Sequence, residues 1–342
     1  MERRTFIRNA SIAVASLSAL GIAGKFYSNT ADVAGKTLTI YSGRKEKLVG
    51  PLIEKIKLET GLNIQVRYGG TAELASTILE EGANSPAHIF FAQDAGALGS
   101  LSKEGRLIEL SPDLLEPVDP IFRSPKDEWV GITGRARTVD YNVNLVKPEE
   151  LPDSIWGFTD PKWGGGKIGW APTNGSFQSF VTALRVLEGD DRAREWLEAI
   201  QANDPQVYPK NTPIVEALGR EEIHVGFVNN YYLMRFKSDD PDFPVEHHYT
   251  KNDAGSIVNI AGVGILDSVE EREVAEIFIK SLLSMQSQQY FASETFEYPL
   301  IDGVEVEGGQ KPLSSINTPD IDLSDLDDLK GTLDLLNEVG VL

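Results

Sequence analysis

The stretch TLTIYSGRKEKLVGPLIEKIKLETGLNIQVRY, residues 37–68, decides the fold. Its first six residues alternate, with Leu38 and Ile40 on one face and Thr37, Thr39 and Tyr41 on the other, which is a strand pattern. Leu48, Leu52, Ile53 and Ile56 then recur at helical spacing, and Gly61 supplies the stop. LNIQVRY alternates again as a second strand. The pattern continues with TAELASTILEEG (71–82), where Thr71 is the expected N-cap, Leu74, Ile78 and Leu79 the buried stripe and Gly82 the end. AHIFFA (87–92) gives a third strand and GALGSLSKEG (96–105) another helix. Short strands alternating with helices predict a mostly parallel sheet covered on both faces.

Past Arg135 the pattern repeats less clearly. Strands are expected at ARTVDYNV (136–143), KIGWAP (167–172) and IHVGFV (223–228), and helices near 177–187 and at 191–200. A further helix should open at Asn229-Asn230. SIVNIAGVGIL (256–266) is apolar and precedes a strong helix at 270–285, as though the chain returns to its first half. The tail, 323–340, places Leu326, Leu329, Leu333 and Leu336 on one face behind Ser324 as cap. The expected organisation is an export signal and linker (1–36), a first lobe (37–134 plus 259–305) and a second lobe (135–258 plus 306–342).

Length and composition agree with two domains. The chain has 342 residues, 41% of them hydrophobic, enough for a sizeable core. Its 52 acidic against 32 basic residues give a net charge of −20, which argues against a nucleic-acid partner. With no cysteine there is no disulfide, no lipid-modified thiol and no thiolate metal site. The first residues, MERRTFIRNASIAVASLSALGIAG, join Arg3 and Arg4 to a short small-residue apolar run and read as a twin-arginine-like export signal. That predicts a protein of the periplasm or of the extracellular face of the membrane, with retention as a membrane anchor open because no clean cleavage site stands out.

The chemistry-bearing stretch is FVNNYYLMRF, residues 227–236. Neighbours on a helix sit roughly 100° apart, so Tyr231 and Tyr232 cannot share one packing stripe. A strand ending at Asn229 delivers both to a helix start, where unpaired N–H groups and the macrodipole favour negative charge. A phenol with pKa near about 10 is normally neutral, but a hard trivalent cation displaces its proton. Packing is the commoner use of an aromatic pair, and periodicity leaves both uses open.

IYSGRKEK (40–47), SPAHIFFAQDAGAL (85–98), GITGRARTVDYN (131–142), PKWGGGKIGWAPTNGSF (161–177), YPKNTPIVEAL (208–218) and FVNNYYLMRF, in this order, resemble the periplasmic ferric-ion-binding proteins that serve iron ABC transporters. The resemblance implies an α/β, two-lobed periplasmic-binding-protein fold with hinge-crossing strands and an inter-lobe cleft. It implies Fe3+ as cargo, a synergistic carbonate or phosphate, an ABC permease as partner, a monomer, and no enzymatic activity. Tyr231 and Tyr232 match the tyrosine ligands; Arg135, Asn174, Gly175, Ser176, Asn211 and Asn229 match the anion-binding positions.

Two positions depart from that pattern. Lys45 stands where many relatives have a histidine, and Gln93 where they have a glutamate; neither replaces an anionic or lone-pair donor for a trivalent ion. With Arg44 they are expected to line the facing wall and act through charge and hydrogen bonds. Two other readings stay open: metal-free binding of an anionic organic solute or phosphonate, and an exported metal-dependent hydrolase with Asp94 as the one nearby carboxylate for a general base. His247-His248 is no metal pair if it lies on a strand, where adjacent side chains point apart. DIDLSDLDDL lacks the glycine of a calcium loop, and WGGGKIG lacks the spacing of a phosphate loop.

Overall fold

The structure, a computed structural model, describes residues 33–342; the expected export signal lies outside them. β1 (Thr37–Ser42), α1 (Glu46–Thr60), β2 (Asn63–Tyr68), α2 (Thr71–Glu81), β3 (Ile89–Ala92) and α3 (Ala95–Lys103) follow the expected order. β1 pairs in parallel with both β2 and β3. α1 ends at Gly61, whose φ of 71° is the left-handed conformation glycine adopts without a Cβ penalty. α2 is capped by Gly70 rather than Thr71: the Glu73 carboxylate accepts the Gly70 N–H at 3.4 Å, while the Thr71 hydroxyl accepts from the Gln93 N–H.

β4 (Trp129–Asn142) is a fully buried fourteen-residue strand that starts seven residues before the expected Ala136. Burial of both faces removes the alternation by which a strand is recognised in sequence. After it come β5 (Ile168–Trp170), α4 (Gly175–Glu188), α5 (Asp190–Ala202), β6 (Gln206–Val207), α6 (Asn211–Gly219), β7 (Val225–Asn229), α7 (Asn230–Asp239), β8 (Val245–His248) and β9 (Val258–Ile265). β5 is parallel to β6 and β7, so the second half repeats the crossover logic of the first. The sheet path is β2-β1-β3-β9-β4-β7-β5-β6.

β4 and β9 join the halves. The first part of β4 runs antiparallel to β9, which also pairs with β3; the second part runs antiparallel to β7 and β8. α8 (Arg272–Leu282) and α9 (Met285–Tyr290) then lead to β10 (Tyr298–Pro299), which pairs with β4 at Thr133 and Gly134. The result is a two-lobed α/β molecule connected by antiparallel strands.

The tail touches both lobes. Its helix, α10 (Leu329–Glu338), is capped by Asp328, whose carboxylate accepts the Gly331 N–H at 2.9 Å, and not by Ser324. It buries Thr332, Leu335 and Leu336, with the Thr332 hydroxyl 2.7 Å from that of Thr182 on α4. The turn before it lies against α3 so closely that a Cβ added at Gly96 or Gly99 would sit 2.2 Å from the carbonyl oxygen of Leu326 or Ser324. Among the described residues no helix is long and apolar enough to cross a membrane.

Candidate functional site

β7, buried along its whole length, carries Asn229 to the start of α7. The Asn229 side chain does not cap the helix; its Oδ1 accepts from Arg137 Nη1 at 3.2 Å. Asn230 turns inward, accepting the Ala136 N–H at 3.0 Å and donating to Phe296 O at 3.1 Å and Gln310 Oε1 at 2.6 Å. This anchor fixes the first turn of α7 against β4. Tyr231 and Tyr232 follow it with ring centroids 4.4 Å apart and planes inclined by 33°. The guanidinium of Arg235 lies 5.3 Å from one ring centroid and 5.6 Å from the other.

Both phenols line a cavity of about 500 Å³ between the lobes. Burial, and secondarily the neighbouring Tyr232, push the Tyr231 phenol above its usual value, while Arg135 pulls the other way. Tyr231 is therefore neutral at ordinary pH, and its proton leaves only when a strong cation compensates.

The anion-binding candidates divide. Asn174 caps α4, its Oδ1 accepting from the Ser176 N–H at 2.9 Å and the Ser176 hydroxyl at 2.7 Å. Gly175 faces open space, since a Cβ there would meet nothing within 4 Å. Asn174, Gly175, Ser176 and Asn229 all line the cavity. Asn211 is fully buried behind them and donates to Ser176 Oγ at 3.0 Å. Arg135 reaches the cavity, but its Nη2 already donates to Ile260 O at 3.0 Å and to Gln93 O.

Arg137, which the sequence reading passed over, lines the same wall. Its guanidinium lies 5.3 Å from the Phe180 ring and 5.8 Å from Phe177, and its Nη2 donates to Phe227 O at 2.9 Å. Burial pulls its pKa down to about 9, against the opposing pull of Tyr231 and Asp140, so it remains cationic at neutral pH. Strand parity is the signal that finds it: alternate residues of a strand share a face, so Arg135 implicates Arg137.

The facing wall offers little to a metal. Lys45 is exposed at the start of α1, and Lys47 and Gln93 join it on the lining. Arg44 is not on the lining; it is 1% exposed and donates through Nη2 to both oxygens of Glu297, at 2.8 and 2.7 Å. Its Nη1 donates to Gln93 Oε1 at 3.0 Å. Glu297, 4% exposed, does line the cavity, so Asp94 is not the one carboxylate near the cleft. Nothing local in the sequence marks Glu297, because its partner lies 253 residues away.

Burial works to raise the Glu297 carboxyl, but Arg44 and Arg135 overrule it and hold it below its ordinary value. Asp94 caps α3 by accepting the Ala97 N–H at 3.1 Å, and burial raises its carboxyl. Asn259 ties the lobes at the cavity edge, accepting from Ala95 N at 3.2 Å and donating to Ser179 Oγ at 2.8 Å.

Among the described residues no three His, Cys, Asp or Glu side chains converge as a metal site. His247 and His248 go to different partners, Asp140 Oδ1 at 2.6 Å and Pro152 O at 2.8 Å. The cavity is lined by five cationic side chains, Lys45, Lys47, Arg135, Arg137 and Arg235, against the carboxylates of Asp94 and Glu297. In a chain of net charge −20, this local reversal points to an anionic component in the ligand.

The chain is similar to known proteins over most of its length. Residues 84–323 match the family described as "Bacterial extracellular solute-binding protein". Iron uptake protein A1 of Synechocystis sp. is 32% identical over 332 residues, covering 91% of this chain and 89% of that protein. The crystal structure of iron-bound HitA from Pseudomonas aeruginosa superposes with a TM-score of 0.79 at 31% identity, covering 89% of this chain and 99% of that one. Trichodesmium IdiA (FutA), in complex with iron and citrate ligands, gives 0.78 at 29% identity with coverage of 89% and 99%.

Proposed function

This chain belongs to the bacterial extracellular solute-binding proteins, and on that premise we propose that it captures ferric iron between its lobes for an ABC-type importer. Tyr231 and Tyr232 supply two phenolate oxygens. Asn174, Gly175, Ser176 and Asn229 hold an accompanying oxyanion, carbonate or phosphate in the simplest case, at the N-terminus of α4. Asn211 supports Ser176 from behind, and Arg135 contributes charge while its hydrogen bonds hold the crossing strands. Lys45 and Gln93 contribute charge and hydrogen bonds without ligating the metal. The protein binds and presents its cargo as a monomer on the periplasmic or outer face of the membrane. It carries out no turnover.

The observation that carries this reading is the phenol pair, 4.4 Å between ring centroids on the wall of an inter-lobe cavity. Iron uptake protein A1 and iron-bound HitA, both at least 31% identical, support iron as the cargo. The excess of cationic lining favours one competing reading, an anionic organic solute without metal. Equilibrium competition against a soluble ferric chelator separates them: the parent should retain one iron per chain, and Tyr231→Phe or Tyr232→Phe should lose most of that affinity. Thermal stabilisation by an iron-free organic anion, with no iron retained, would favour the competitor.

A further inference from the structure

Tyr231 and Tyr232 leave α7 in directions roughly 100° apart, yet both line one cavity. That arrangement depends on how the helix is rotated about its axis. A side-chain tip about 5–6 Å from the axis moves by about 1 Å for a turn of about 10°, whereas a binding constellation needs its groups held within about 0.5 Å. An N-cap is the ordinary way to fix a first turn, but α7 has no side-chain cap, because Asn229 Oδ1 accepts from Arg137 Nη1 instead. The rotation has to be fixed by something else.

Asn230, fully buried at the first position of α7, is tied to three other places in the chain. Its Oδ1 accepts the Ala136 N–H at 3.0 Å, and its Nδ2 donates to Gln310 Oε1 at 2.6 Å and to Phe296 O at 3.1 Å. Gln310, 7% exposed, closes a triangle by donating through Nε2 to the same Phe296 O at 3.4 Å and also to Glu307 O at 3.3 Å. Phe296 has φ 57° and ψ 26°, a left-handed backbone that a phenylalanine rarely adopts and that persists only where the surroundings impose it. Its neighbours do so: Arg44 and Thr133 grip Glu297, and Tyr298 pairs with Gly134 of β4. The loop between Phe296 and Gln310 also braces the next turn of α7, where a Cβ added at Gly308 would lie 3.0 Å from Met234 Sδ.

We propose that Gln310 is a positioning residue for the phenol pair, acting through Asn230 and the Phe296 carbonyl to set the rotation of α7 at which both Tyr231 and Tyr232 face one metal ion. This deepens the ferric reading above and rests on it. Gln310 does not line the cavity and touches no cargo. Without its oxygen, one buried N–H of Asn230 has no acceptor, so the side chain turns to find one and the first turn of α7 moves with it.

The test compares two variants of the full chain. Gln310→Met keeps the side-chain length and removes the acceptor; Gln310→Asn keeps the amide and withdraws it by one methylene. Both should bind iron at least tenfold more weakly in competition with a soluble ferric chelator, with the phenolate charge-transfer band shifted and weakened per bound iron. Ile78→Val, fully buried on α2, shows the effect of lost stability alone: a lower melting temperature with the parent's affinity and band. A parental band and affinity in both Gln310 variants, whatever their melting temperatures, overturn the inference while the ferric reading stands. A parent protein without the band from any iron source removes the ferric reading, and the inference with it.

Discussion

Replacing Glu297 by Gln tests the buried pair that supports the cavity floor. The Arg44 and Glu297 side chains are 0% and 4% exposed with N and O 2.7 Å apart. At that separation and an effective dielectric near 20 the gross attraction is about 6 kcal/mol, and desolvation of the two ions takes back most of it. The pair's net value is therefore small, but removing one member strands the other. Glu297→Gln leaves Arg44 buried and uncompensated, which should cost about 3–5 kcal/mol. In lobes of this size that lowers the melting temperature by on the order of 10 °C.

The pH dependence has a definite sign. Glu297 is held below its ordinary carboxyl value of 4.5, so its stabilisation is present above that value and is lost as pH falls through the lower folded value. The gap between parent and Glu297→Gln should thus be full at pH 7 and shrink in acid. Urea unfolding at a series of pH values reads it. A double variant, Arg44→Met with Glu297→Leu, should recover most of the loss. A loss under about 1 kcal/mol in the single variant, or no recovery in the double one, would refute the reasoning.

Two further outcomes follow from the geometry. Gly99→Ala should cost about 1–3 kcal/mol, because the new Cβ falls 2.2 Å from the Ser324 carbonyl oxygen and must push the tail off α3; hydrogen exchange should show residues 323–327 losing protection first. Ferric capture should release about two protons per iron, because burial holds the Tyr231 phenol protonated and each phenolate formed on the metal displaces one proton, so apparent affinity rises with pH; calorimetry in buffers of differing ionisation enthalpy counts them, and zero protons would contradict phenolate formation.

The fold was legible where local patterns carry it. The run from Thr37 to Tyr68 shows its strand, helix and Gly61 stop directly, and the structure follows it. β4 was legible only in its second half, because Gly131 and Gly134 and burial on both faces erase the period of two before Ala136. The return of β9 to β3 could be suspected from composition, but its antiparallel register is a tertiary outcome. In the site, adjacent tyrosines at a helix start could be seen at once. The assignments to Arg44, Arg135 and Asn211 rested on position in a motif, and position does not say whether a side chain is free. The structure commits Arg44 to Glu297, Arg135 to main-chain carbonyls, and Asn211 to Ser176. Such commitments join residues far apart in the chain, which no local pattern encodes.

The central claim is that Tyr231 and Tyr232 become phenolates on one ferric ion. Resonance Raman spectroscopy of the iron-loaded protein, excited within its visible absorption, observes this chemistry directly. The account predicts enhanced tyrosinate ring and C–O vibrations that weaken in Tyr231→Phe, weaken in Tyr232→Phe, and vanish when both are changed. Iron-loaded protein without tyrosinate modes, or modes unaltered in the double variant, would contradict it.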